Sequence, residues 1–250
     1  ERVDGGWCIT GHKIFGSLSP VWTFMGLHAM DTSDPSAPRI VHVFVNRDAP
    51  GVKIVETWDT IGMRSTSSHD TLLESVFVPD SQVGLVCPAG FAGAGLFHLG
   101  VFAWGMLGFG AVYLGIADRA YDLAVAGAHQ KTSIALTRSM AHHPGVQSGV
   151  AEMRMKLEAA EAHLDRTCAD WSDGVEHGAG WPLKLISTKH NVTTRAWEVV
   201  DRAMELTGGS GIFRSNRMEQ LFRDARLGRI HPGNDLFSHE TVGKLALGID

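Results

Sequence analysis

The hydrophobic pattern of the chain changes its period near residue 90, and this change limits the folds that the chain can adopt. Before this point, short runs rich in β-branched and aromatic residues alternate with turn signals; they are Trp7–Thr10, Trp22–Met30, Ile40–Val45, Val52–Thr57 and Thr71–Val78. After it, apolar residues recur every three or four positions over long stretches. The pattern predicts an α+β protein, with an antiparallel β domain over residues 1–90 and an up-down four-helix bundle over residues 91–250.

The helical part is predicted to contain three long helices and a shorter one. They run from Leu96 to about Ala128, from Pro144 to Trp171, from Pro182 to Leu206 and from about Asp235 to Leu247. The first contains no charged residue up to Ala117 and is long enough for a membrane span, but its glycines and the charges that follow favour a helix buried on all sides. The glycine-rich segment 87–95 is predicted to be a flexible joint, because its glycines do not follow the G-x-G-x-x-G spacing of a dinucleotide loop.

The composition excludes several function classes. The chain is 44% apolar and 20% charged with a net charge of −5, and it has no basic run, so a nucleic-acid partner is not expected. Its three cysteines are scattered, which predicts neither a metal site nor disulfides and favours a reducing compartment such as the cytoplasm, or the mitochondrial matrix in a eukaryote. Glu1 begins what reads as mid-protein sequence, so a fragment of a longer protein is expected.

Five sequence motifs occur in series along the chain. They are the segments 5–17 (GGWCITGHKIFGS), 62–70 (GMRSTSSHD), 76–79 (VFVP), 206–212 (LTGGSGI) and 223–230 (RDARLGRI). In this order and spacing, the chain resembles the acyl-CoA dehydrogenase superfamily, without the N-terminal helical domain of that family. The resemblance implies FAD held between the β domain and the bundle, in a homotetramer or dimer, with a role in fatty acid metabolism.

The resemblance also implies a set of flavin contacts. Phe15 matches an aromatic residue that packs on the isoalloxazine ring, and Ser17 matches a hydroxyl that bonds near the reactive N5 atom. Gly208, Gly209 and Gly211 match a segment that approaches the FAD of a neighbouring subunit, and Asn234 is a further predicted contact. Read without the resemblance, Phe15 is a strand core residue, Ser17 an edge hydroxyl and the glycines an ordinary helix C-cap.

The catalytic base of the family is missing from both of its usual positions. An acyl-CoA dehydrogenase needs a carboxylate to remove the α-proton of the thioester while a hydride leaves to the flavin. One usual position holds Pro232, and the other falls near Gly105. His231 and Asp235 are the nearest titratable residues and become the predicted catalytic residues of an α,β-dehydrogenation of an acyl-CoA thioester.

An alternative comes from the flavin monooxygenases that share the fold. These have a serine matching Ser17 and a histidine matching His231, seven residues after Asp224. Their chemistry needs a proton donor near the flavin rather than a base, and FMN or a reduced flavin then serves as cofactor or co-substrate. The implied protein partner is an electron-transfer flavoprotein for the dehydrogenase and a flavin reductase for the monooxygenase. A third alternative is a catalytically degenerate subunit of a hetero-oligomer; no membrane partner is expected.

Overall fold

The computed structural model describes residues 1–90, 95–133 and 137–249. The chain forms two compact units, Glu1–Gly93 and Ala94–Asp250. The predicted joint at 87–95 lies in part on residues 91–94, which are outside the described residues, and its first two residues belong to a strand.

The first unit consists of two antiparallel sheets. Its strands are β1 (Arg2–Val3), β2 (Gly6–Gly16), β3 (Phe24–Asp31), β4 (Arg39–Asn46), β5 (Val52–Val55), β6 (His69–Pro79) and β7 (Val83–Pro88). One sheet has the order β1-β2-β6-β5 and the other the order β3-β4-β7. The predicted antiparallel β domain is therefore confirmed.

The core of this unit follows the two-residue period of its strands. Val41, Val43 and Val45 of β4 are buried, as are Val76 and Val78 of β6. Successive side chains of a strand point to opposite faces, so alternate valines place one face of each strand against the same apolar cluster. The same alternation leaves other positions of the sheet free to form a site.

The second unit is a bundle of antiparallel helices. Its helices are α1 (Leu96–Gln130), α2 (Pro144–Ser172), α3 (Trp181–Thr207), α4 (Arg217–Arg226) and α5 (Asp235–Leu247). Helices α2 and α3 run antiparallel. Lys156 of α2 pairs with Glu198 toward the end of α3 at 2.9 Å, and Thr167 near the end of α2 bonds to Thr188 nearer the start of α3 at 2.8 Å. The helical region is confirmed, and α4 is an additional helix that the sequence analysis did not anticipate.

Helix α1 is buried along one face only. Small residues such as Ala103, Gly110 and Ala117 recur on that face and allow neighbouring helices to approach closely. The opposite face exposes large apolar side chains, with Trp104 77% exposed, so the prediction of a helix buried on all sides is wrong for the single chain. By length and composition alone, α1 would be able to cross a membrane.

A buried carboxylate joins the end of α2 to the start of α3. Asp170 accepts ion-pair contacts of 2.8 Å from each of Arg166, His177 and Lys184. Hydrogen bonds from Lys184 and His177 hold the pKa of Asp170 below its usual value. The ion cluster links the end of α2 to Lys184 in the first turn of α3.

Candidate functional site

Phe15 lies where β2 departs from regular pairing. The register between β2 and β6 shifts between Lys13 and Gly16, and Phe15 takes a left-handed backbone conformation with a φ of 60°. A bulge of this kind re-aims a side chain, and strained backbone at a non-glycine residue is typical of functional sites. Phe15 is 68% exposed, and its ring packs edge-to-face with that of Trp58, with centroids 6.0 Å apart. An exposed aromatic ring that packs against a neighbour in this way is suited to stacking on a flat ligand.

A chain of hydroxyl groups orients Ser17. Its Oγ lies 2.9 Å from the Oγ of buried Ser68, which in turn lies 2.7 Å from the Oγ1 of Thr66. The Leu18 amide also donates to the carbonyl of Thr66 at 2.8 Å. The structure thus brings together the two β-domain motifs that the sequence analysis singled out, and the second motif positions the hydroxyl of the first.

A groove lies beside these two residues within the first unit. It has a volume of about 440 Å³ and is lined by residues 13–17, at and just after the end of β2, and by Trp22 and residues 24–28. Its walls include Phe24, Met25 and Ser17, together with Lys13 and His28. Largely apolar walls with a few polar groups suit a flavin ring, so the residues present fit that group.

In the second unit, His231 lies in an aromatic pocket between α1 and α3. The ring of Phe109 stacks on its imidazole, with centroids 4.7 Å apart and planes at 14°. The Tyr113 hydroxyl lies 2.6 Å from Nδ1 of the imidazole, and the Tyr113 side chain is fully buried. Burial raises the pKa of Tyr113, with a smaller contribution from the Asp224 carboxylate, so the phenol stays protonated.

A buried lysine supports the loop that carries His231. The Lys189 ammonium donates to the carbonyl oxygen of Gly233 at 2.8 Å and lies 3.4 Å from that of His231. Burial lowers the pKa of Lys189 to about 8, against the opposing effect of Asp235. Burial also lowers the pKa of His231, and the Lys189 charge lowers it further. At neutral pH the imidazole is therefore uncharged.

Asp235 and Asn234 have partners that give them structural roles. Asp235 accepts from Nε of Arg229 at 2.8 Å and lies 3.5 Å from Nδ1 of His190. Partial burial acts to raise the pKa of Asp235, but the hydrogen bond and charge of Arg229 outweigh it and hold the pKa below its usual value. The Asn234 side chain caps α5 by accepting from the Phe237 amide at 3.0 Å. A carboxylate bound in this way is a weak base.

The glycine segment at the end of α3 divides into open and packed positions. Gly208 needs its left-handed φ of 67°, and Gly208 and Gly209 have open space around them. Gly211 is packed internally, because an added Cβ would lie 2.7 Å from the Met204 sulfur. Lys131 donates to the Thr207 carbonyl and to the Ser210 hydroxyl, which places a positive charge beside the open glycines.

The negative charge of Glu205, three residues before the glycine pair, is partly neutralised by an ion pair. Its carboxylate lies 2.5 Å from the Arg202 guanidinium on the same helix. The repulsion that a free carboxylate at this position would exert on a phosphate is therefore reduced.

His231 and the glycine segment lie at opposite ends of α3. His231 contacts Lys189 near the start of the helix, whereas Gly208 follows its last residue. At 1.5 Å per residue the two sites are roughly 28 Å apart along the axis. The structure brings His231, Asn234 and Asp235 together in the segment that leads into α5, but it does not bring Gly208, Gly209 and Gly211 to them. Sequence reasoning missed Tyr113, Phe109 and Lys189 as neighbours of His231.

Two family models match the chain. The model described as "Acyl-CoA dehydrogenase, middle domain" covers residues 1–76, and that described as "Acyl-CoA dehydrogenase, C-terminal domain" covers residues 107–235. Together they span both compact units.

Curated relatives include proteins named for two different reactions. The putative acyl-CoA dehydrogenase YdbM of Bacillus subtilis is 31% identical over 94% of this chain, and L-evernosamine nitrososynthase of a Micromonospora species is 28% identical over 98%. This chain spans 58% of the length of each relative. A solved structure of KijD3 in complex with FMN and dTDP-3-amino-2,3,6-trideoxy-4-keto-3-methyl-D-glucose is 27% identical, with a TM-score of 0.77 over 99% of this chain and 61% of its own.

Proposed function

The chain belongs to the acyl-CoA dehydrogenase family, and from that premise we propose that it is the flavin-binding part of an oxygen-using flavin oxidoreductase, a monooxygenase of this fold. The observation that carries the proposal is the geometry around His231. Its imidazole is stacked on Phe109 and bonded to Tyr113, at a site where a dehydrogenase needs a carboxylate.

The side chains available are poor α-proton bases. One of the two usual base positions holds Pro232, and the other falls near Gly105. Asp235 is bound by Arg229, which stabilises its charge and weakens it as a base. A neutral imidazole in an apolar pocket can instead donate a hydrogen bond from its protonated ring nitrogen. The arrangement favours hydrogen-bond donation to the reacting group over abstraction of an α-proton.

Different residues of the chain contact different parts of the cofactor in this proposal. Phe15 packs on the flavin ring, and the Ser17 hydroxyl, oriented by Ser68, bonds to its polar edge. Gly208 and Gly209 approach the pyrophosphate of an FAD held by a second copy of the chain, since they lie far from His231 within one copy. A reduced flavin bound there would supply the two electrons with which one atom of O₂ enters the substrate while the other leaves as water. His231, stacked on Phe109, directs a hydrogen-bond donor into the site.

The cofactor of this proposal is FAD, and the assembly is a homotetramer or dimer fed by a flavin reductase. The support for a flavin comes from the groove beside Ser17 and from the solved relative that binds FMN. The substrate is a small molecule. The nitrososynthase relative and the sugar nucleotide bound by KijD3 favour an amine-bearing substrate over a thioester.

A second candidate function is α,β-dehydrogenation of an acyl-CoA with an electron-transfer flavoprotein as the acceptor. The observation in its favour is the 31% identity to the relative named as a putative acyl-CoA dehydrogenase. It requires Asp235 or His231 as the base, and therefore a rearrangement of the contacts that now hold them.

Anaerobic and aerobic reactions of the flavin-loaded, full-length protein distinguish the two functions. For the monooxygenase we expect no bleaching of the flavin by a panel of acyl-CoAs, and an oxygenated product when a flavin reductase, NADH and O₂ are supplied. Bleaching by an acyl-CoA without a reductase would overturn the proposal in favour of dehydrogenation. Absence of any bound flavin, measured by absorbance and thermal shift, would remove both.

Replacement of the histidine tests its role directly. In His231→Gln we expect oxygenated product formation to fall by on the order of 10², because a positioned hydrogen-bond donor contributes at least that much. The control is His129→Gln, at an exposed position near the end of α1. Equal rates in His231→Gln and the control would contradict the assignment.

A further inference from the structure

Tyr113 and His231 make a contact that joins the first helix of the bundle to the loop before α5. The phenolic oxygen lies 2.6 Å from Nδ1, although the two residues are 118 positions apart. The Tyr113 ring is fully buried and packs against Gly228, where an added Cβ would lie 3.0 Å from Cδ1. Phe109 stacks on the imidazole, so both partners of the contact are packed.

The direction of this hydrogen bond follows from the cost of leaving a buried polar hydrogen without an acceptor. The phenol is protonated and fully buried, and in the described part of the chain its hydroxyl has one hydrogen-bond partner, the Nδ1 of His231. If Nδ1 carried the imidazole proton, the phenolic hydrogen would lack an acceptor, which disfavours that state by roughly tenfold or more. His231 is only partly buried, so its other nitrogen does not carry the same penalty. The phenol therefore donates and Nδ1 accepts.

We propose that Tyr113 is a positioning residue that fixes His231 as the tautomer with its proton on Nε2. Phe109 sets the plane of the imidazole and Tyr113 sets which nitrogen donates. Among the described residues, the charged groups that face this pair are Lys189 on α3 and Asp224 on α4. Burial lowers the pKa of His231, and the Lys189 charge lowers it further. The consequence for catalysis rests on the proposed function: a proton on Nε2 makes the outer edge of the ring a donor and prevents it from acting as a base.

Nitrogen NMR of the full-length protein measures the tautomer without any need for activity. The protein is labelled with ¹⁵N-histidine, and His231 is identified among the 13 histidines by its absence in His231→Gln. Long-range ¹H–¹⁵N correlation spectra at neutral pH then separate protonated from unprotonated ring nitrogens. We expect the wild-type protein to show a bare Nδ1 and a protonated Nε2.

Two variants give a matched comparison. Tyr113→Phe removes only the hydroxyl, and Tyr121→Phe removes the hydroxyl of the second tyrosine on the same helix. We expect Tyr113→Phe to give a mixture of tautomers and Tyr121→Phe to leave the spectrum of His231 unchanged. With the loss of one hydrogen bond, kcat of Tyr113→Phe should fall about three- to tenfold with KM unchanged.

Each outcome has a definite reading. A wild-type His231 protonated on Nδ1 or on both nitrogens, or a Tyr113→Phe protein that keeps the wild-type tautomer, overturns the inference. The predicted tautomer in a protein that turns over no substrate with flavin and O₂ leaves the positioning role intact and overturns the proposed function instead.

Discussion

A single methyl group at Gly228 is predicted to disturb both the stability of the bundle and the setting of His231. Gly228→Ala would place a Cβ 3.0 Å from Cδ1 and 3.1 Å from Cγ of Tyr113, and 3.2 Å from Cβ of Thr193. Both neighbours are buried, at 0% and 1% exposure, so neither can move into solvent. The backbone at Gly228 is not in the left-handed region, and the whole effect is therefore steric.

The magnitude follows from the packing. Extra volume in a closed core costs about 1–3 kcal/mol because side chains leave their rotamers or the backbone shifts. The matched control is Gly115→Ala in the middle of α1, where nothing lies within 4 Å of the added Cβ. The same substitution there should stabilise the helix by about 0.5–1 kcal/mol, since alanine is the better helix former.

Thermal unfolding of the full-length protein is the assay. At about 2–4 °C per kcal/mol for a chain of this size, we expect Tm to fall by about 2–12 °C in Gly228→Ala and to rise by about 1–4 °C in Gly115→Ala. The displaced Tyr113 ring should also loosen its bond to His231 and mix the tautomers of the imidazole. A Gly228→Ala protein as stable as Gly115→Ala, with the wild-type tautomer, would refute the packing argument.

Three further predictions concern charge, pH and flavin binding. Asp170→Asn leaves Arg166 and Lys184 without their anion and should lower the free energy of unfolding at pH 7 by about 2–4 kcal/mol. Exposed Asp173→Asn should change it by less than about 0.5 kcal/mol in urea titrations. Lys189 has a pKa of about 8 in the folded protein, against an ordinary value of 10.5. Its burial therefore lowers the stability most below pH 8, and this penalty shrinks as the pH rises toward 10.5. Relative to Lys189→Met, the wild-type free energy of unfolding should rise by about 2–3 kcal/mol between pH 7 and 10. Equal pH dependence of the two proteins would contradict the buried charge. Ser17→Ala should weaken flavin binding about three- to tenfold in fluorescence titrations, and an unchanged dissociation constant would remove Ser17 from the site.

The division of the chain was predictable because periodicity reports directly on burial. The alternating valines of β4 and the stripe along α3 each place one face of an element in a core. The strand at Val83–Pro88 was missed because its apolar run ends in residues that read as a joint. Helix α4 was missed because most of its ten residues are polar, so its few buried side chains leave no clear stripe.

The candidate site was predictable only where its residues are neighbours in sequence. Phe15 and Ser17 lie in one motif, but the pairing of Tyr113 with His231 joins distant positions, and no local pattern reports such a contact. Lys189 left a signal that could have found it, because it occupies a position in the apolar stripe of α3. A lysine at such a position must find acceptors inside the protein, and here it finds two carbonyl groups.

The anchoring of the loop through those carbonyl groups has a consequence for redesign. Every residue type carries a backbone carbonyl, so the contacts of Lys189 with positions 231 and 233 do not depend on the side chains at these positions. Pro232 between them is exposed, and a set of substitutions at this position would vary the chemistry next to the imidazole while the contacts of Lys189 stay in place. Gly233 is closed to the same approach, because its φ is 74° and an added Cβ would lie 3.0 Å from the sulfur of Met106.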